Sequence, residues 1–83
     1  MSDVHQLNEA IMVTAQMLPE QIQPQTIIWR TQSYTVISIG RQWQGETGRH
    51  ILVEVHDGSR MEIRLGADIR WYLERYWPVT MMA

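Results

Sequence analysis

The stretch 49–65, R-H-I-L-V-E-V-H-D-G-S-R-M-E-I-R-L, alternates apolar and polar residues on both sides of an Asp-Gly pair. Ile51, Val53 and Val55 fall on one side of an extended chain, with His50, Leu52, Glu54 and His56 on the other. Beyond the glycine, Met61, Ile63 and Leu65 alternate with Arg60, Glu62 and Arg64. Period-two alternation marks a half-buried strand, and Asp-Gly is a strong hairpin signal. A two-residue turn would set Glu54 opposite Met61 and leave the apolar sets of the two arms on opposite sides of the sheet. A three-residue loop at 56–58, with Gly58 left-handed, sets Val53 opposite Met61, Ile51 opposite Ile63 and Glu54 opposite Arg60. Parity therefore predicts the longer loop.

Two further short strands stand out. In 27–30, Ile27 and Trp29 share a face; in 34–39, Thr35, Ile37 and Ile39 alternate with Tyr34, Val36 and Ser38. The second has two partly apolar faces, as a central or curved strand does, and the pattern does not select the inner one. Residues 31–33 form a polar turn between them. Residues 40–48 hold three glycines and Trp43 among polar neighbours, a loop signature in which Trp43 either covers an open end of the core or stands exposed. Pro19 and Pro24 make 17–26 a connection.

Two segments are ambiguous. A helix over 3–18 would align Val4, Leu7, Ile11, Ala15 and Leu18 and stop before Pro19, a slightly better fit than a strand with Ile11, Val13, Ala15 and Met17 on one side. In 69–77, helical spacing groups Ile69, Tyr72, Leu73 and Tyr76, whereas alternation groups Trp71, Leu73, Arg75 and Trp77; the aromatic content favours strand. Residues 1–9 and 79–83 are expected to fray.

Eighty-three residues at 45% hydrophobic content make one domain with a compact core. Without cysteine there is no disulfide framework and no thiolate zinc site. No apolar run spans a bilayer and no signal-peptide pattern opens the chain, so a soluble, cytoplasmic protein is the expectation. Charge is unevenly spread: the first 25 residues carry Asp3, Glu9 and Glu20 with no base, and 26–77 carry seven Arg against six acids. All the bases are Arg. Arg with four Trp and three Tyr is a composition enriched at binding hot spots, although host codon usage produces a Lys-free sequence equally well.

Several short runs together resemble a known family. I27-x-W29-R30-x-x-x-Y34-x-V36, Trp43, the strand ending in D57-G58, M61-E62-I63 and the closing W71-x-L73-x-R75-x-W77 are similar to small bacterial domains of unknown function, which stand alone or occur in association with Y-family, lesion-bypass DNA polymerases. The resemblance covers about residues 10–77. Where that family has a Gly and a second Arg after W-R, this chain has Thr31 and Gln32, and its turn at 66–70 is shorter. The resemblance implies that both ambiguous segments are strands. Five to six strands joined by tight turns then suggest an all-β domain, a small antiparallel barrel or strongly curved sheet, with room for a short N-terminal helix. Its core would hold Ile27, Trp29, Ile51, Val53, Val55, Met61, Ile63 and one side of the last strand. A four-stranded sheet packed by an N-terminal helix is the competing architecture.

No catalytic pattern emerges, and neither a metal nor an organic cofactor is expected. His50 and His56, six residues apart on a strand, are separated by about 20 Å and cannot share an ion without a sharp bend. The serines lack a nucleophile elbow, and the glycines form no phosphate-binding run. A binding module is therefore expected. In the first reading Arg41, Trp43, Arg75 and Trp77 contact a protein partner or a second copy, with core capping as the alternative role for Trp77. In the second, a small barrel accessory to DNA repair or replication binds single-stranded nucleic acid. Tyr34, Trp43 or Tyr72 would stack on bases while Arg30, Arg41 and Arg70 meet phosphates. A net charge of −2 favours the first.

Overall fold

The computed structural model describes residues 4–79. It contains six strands: β1 (His5–Met17), β2 (Ile22–Trp29), β3 (Gln32–Gln44), β4 (Gly48–Val55), β5 (Arg60–Gly66) and β6 (Trp71–Trp77). Each pairs antiparallel with the next, and β6 returns to β1, so the sheet closes into a barrel. No helix occurs among the described residues. The barrel is all-β as expected, and the helix that local spacing favoured over 3–18 is replaced by β1. An isolated helix of this length is marginal in water, whereas β1 bonds to a neighbour on each side: Ala10 and Ile11 face Tyr72 and Trp71, and 12–17 pair with β2. β1 begins at His5, within the stretch expected to fray; residues 1–3 and 80–83 lie outside the described residues.

The core holds the residues that alternation selected. Ile27, Ile51, Val55, Met61, Ile63 and Leu73 are fully buried, with Trp29 and Val53 nearly so. In the β4–β5 hairpin Val53 faces Met61 and Glu54 faces Arg60; Val55 N donates to Ser59 O at 2.9 Å, and Gly58 has φ 91°. Asp57 has no positive φ, so the loop is the three-residue form.

Bulges explain the patterns that simple alternation leaves open or misassigns. In β3, Val36 faces Val55 but Ile39 faces Val53, with a register shift between Val36 and Ser38. Tyr34 and Val36 therefore pack inward from one parity and Ile39 from the other, which is why both faces of this stretch read as apolar. β3 also runs on to Gln44, so Trp43 belongs to a strand where a loop was expected. In β6, Ile63 faces Leu73 while Glu62 faces Arg75, leaving Glu74 as the extra residue. Trp71, Leu73 and Tyr76 join the core, and Arg75 and Trp77 are turned outward. The expected grouping of Trp71, Leu73, Arg75 and Trp77 on one side is thereby split.

The expected connection at 17–26 shrinks to 18–21, and Pro24 lies inside β2. Pairing of β2 with β3 runs only from Thr26 to Trp29, so the missing N–H of Pro24 breaks no rung of that ladder. Beyond it, the Gln42 side-chain amide stands in for a strand: Gln42 Nε2 donates to Ile22 O at 2.6 Å, and Ile22 N donates to Gln42 Oε1 at 3.3 Å.

The β2–β3 turn is tighter than the expected 31–33. Trp29 faces Gln32, and the two residues between them, Arg30 and Thr31, have φ 51° and 64°. Left-handed backbone costs a residue with a Cβ about 1–2 kcal/mol, and a β-branched side chain such as Thr31 suits it poorly. Thr31→Gly is expected to stabilise the fold by about 1 kcal/mol after the added unfolded-state entropy, roughly 4–8 °C in Tm. Thermal unfolding checks this, and a drop in Tm would contradict the left-handed turn.

Candidate functional site on the outer face of β3–β6

The outward positions of β3 to β6 form a continuous polar and aromatic surface. At its centre is Glu62, only 3% exposed although it lies on the outer side of the barrel. Its two oxygens are held from different strands: Oε2 lies 2.8 Å from His50 Nδ1, and Oε1 accepts from Arg75 Nη1 at 2.6 Å. A buried carboxylate persists where its lone pairs are met in this way. His50 in turn carries Trp43, ring centres 5.1 Å apart and planes within 8° of parallel, and the Arg41 guanidinium carbon lies 5.1 Å from the Trp43 ring centre. Arg41, Trp43, His50, Glu62 and Arg75 thus form a chain of contacts across four strands.

Beside this chain runs a groove of about 610 Å³. Leu52, Trp77 and Pro78 give it apolar walls, Glu54 and Arg60 stand at its rim, and Gly40 leaves one side bare. Although Glu54 and Arg60 face each other in register, no ion pair joins them among the described residues. All four residues expected at a protein interface, Arg41, Trp43, Arg75 and Trp77, lie on this one face. Trp43 and Trp77 are half-buried, and neither belongs to the core cluster.

Of the residues of the nucleic-acid reading, Arg41 and Trp43 lie on this same face, and the others are spread apart. Tyr34 is buried at one end of the barrel against Trp29, and burial pushes its phenol up. Arg30 is bound to Glu9, which also accepts from Trp29 Nε1 at 2.9 Å; these bonds hold the Glu9 carboxyl below its usual range. Tyr72 donates to Asp68 at 2.5 Å, lowering the Asp68 carboxyl and raising the phenol, with Arg64 4.4 Å above its ring. Arg70 is exposed in the adjoining turn.

Among the described residues no group of His, Cys, Asp and Glu could hold a metal ion. Ser59 Oγ faces the Tyr76 hydroxyl at 3.3 Å and accepts from Val79 N, a structural role at the barrel end. No helix of the described residues is long and apolar enough to cross a membrane. No protein-family model, curated protein or solved structure matches the chain.

Glu62 was legible only as an outward strand residue beside Arg. It is bonded to His50 and Arg75, and His50 carries Trp43, a contact that the reading of 40–48 as a loop conceals. The continuing alternation of Arg41 and Trp43 against Gln42 and Gln44 is the signal that could have revealed it.

Glu62→Ala leaves His50 and Arg75 without their shared acceptor and is expected to cost about 1–3 kcal/mol. In an NMR spectrum the Trp43 indole resonance should move while that of Trp29, bound to Glu9, stays in place. Unchanged stability with an unmoved Trp43 signal would show that the carboxylate does not order this face.

Proposed function

We propose that this protein is a non-enzymatic binding module that docks a protein partner on the Arg–Trp face of β3–β6. The observation that carries this reading is the collection of Arg41, Trp43, Arg75 and Trp77 on one outer surface, beside an apolar groove and around the buried Glu62. Trp and Arg supply most of the energy at protein interfaces, and side chains already held in place lose less entropy on binding. Here Trp43 is held by His50 and Arg75 by Glu62. Nucleic acid is the weaker reading, because Tyr34 is buried and Arg30 is engaged by Glu9. The resemblance to domains associated with Y-family polymerases makes such a polymerase the first partner to test, which would place the module beside DNA repair in a bacterial cytoplasm.

Calorimetric titration of the host's Y-family polymerase should show binding, weakened about 10–30-fold by Trp77→Ala or Arg41→Ala. A labelled single-stranded oligonucleotide should not associate at low salt. Oligonucleotide binding that falls steeply with salt would overturn the protein-docking reading in favour of nucleic acid, whether or not Arg41→Ala weakens it.

A further inference from the structure

The opposite side of the barrel has a different chemistry. Between Glu9 and Arg41 the charged residues are Glu20 and Arg30, and both lie in turns. Residues 10–16 of β1, 23–28 of β2 and 33–37 of β3 contain no charge, so the outer face they share is uncharged throughout. It is also partly apolar: Met12 is 68% exposed, Ile37 58% and Ile28 40%, and Met12 and Ile28 are cross-strand neighbours. Next to them runs a row of threonines, Thr14 facing Thr26 and Thr26 facing Thr35. Protein surfaces normally intersperse charges, and depletion of charge together with exposed Met and Ile is the composition of an interface centre.

We propose that this face joins two copies of the chain about a two-fold axis. An uncharged face gives a charged partner nothing to pair with, and the surface that suits it is equally uncharged. The same face of a second copy has that chemistry. Threonine hydroxyls both donate and accept hydrogen bonds, so the row can satisfy itself across a two-fold axis, as an isologous contact requires. Met12 and Ile28, beside the row, add apolar area to the contact. With a net charge of −2 the copies repel each other little. Three strands about 4.8 Å apart and roughly seven residues long give a face of about 14 × 23 Å. That is smaller than the roughly 800 Å² per partner of a standard interface, so the dimer is weak and depends on concentration.

The pairing holds whether or not the Arg–Trp face binds a partner. Because β5 lies across the barrel from β2, a dimer made this way presents two Arg–Trp faces outward, which raises the avidity of any partner with two docking segments.

Sedimentation equilibrium of the full chain from about 10 µM to 1 mM should show the mass rising from one chain toward two. Met12→Glu and Ile37→Glu, on separate strands and at exposed positions, should each weaken association about tenfold or more while leaving the far-ultraviolet circular dichroism unchanged. Thr14→Lys is the third arm, should either glutamate variant fold poorly. A single-chain mass across the whole range overturns the proposal. So does a dimer that survives all three substitutions, or one that Trp77→Ala dissociates instead.

Discussion

The return of β6 to β1 is the contact on which this molecule depends. It converts a six-stranded meander, which would present two bare edges, into a barrel in which each strand has neighbours on both sides. Closure also makes one interior from six half-apolar strands, and that interior is filled by Ile27, Ile51, Val55, Met61, Ile63 and Leu73. A chain this short has little core to spare, so loss of the seam would expose the inward side of β1 and β6 together. The bends needed to close so few strands are made at bulges: between Gln6 and Glu9, near Thr14, after Val36, after Ile39 and at Glu74.

Those same bulges place the candidate site. The extra residue at Glu74 rotates the end of β6, so Arg75 and Trp77 leave the side occupied by Trp71 and Leu73 and join Arg41 and Trp43 outside. Barrel geometry thus divides the aromatic residues into two groups. Trp29, Tyr34 and Tyr76 close one end of the core, with Trp29 and Tyr76 in an edge-to-face contact at 4.9 Å; Trp43 and Trp77 stand on the surface. The outer surface is likewise divided, with the guanidinium and indole groups on β3–β6 and a face without charge on β1–β2.

How far the fold could be read from the residues depended on whether alternation ran unbroken. It does in β4 and β5, and there the parity of Val53 with Met61 set both the register and the length of the loop. It fails wherever a bulge inserts a residue, since one extra position exchanges inside for outside. For that reason Tyr34 to Ile39 shows two apolar faces and no single inner one, and alternation groups Trp71, Leu73, Arg75 and Trp77 where the strand divides them. β1 was ambiguous for another: 3–18 carries good helix formers and a helical stripe, and only its partners, far away in sequence, make it a strand. The turn at Arg30 and Thr31 was hidden because neither residue type signals a left-handed backbone. At the site, Arg41, Trp43, Arg75 and Trp77 could be named from composition, but the buried Glu62 that ties them together could not, because its cover is built by tertiary contact.

Native-state hydrogen exchange of backbone amides, followed by NMR, measures barrel closure most directly. In a closed barrel the hydrogen-bonded amides at the β1–β6 seam, around Glu9–Ile11 and Trp71–Leu73, should be protected to nearly the same free energy as those of the β4–β5 hairpin, because all open in one global event. Fast exchange along β1 and β6 beside a protected β4–β5 hairpin would mean an open, curved sheet with two free edges, and the closed core described above would be wrong.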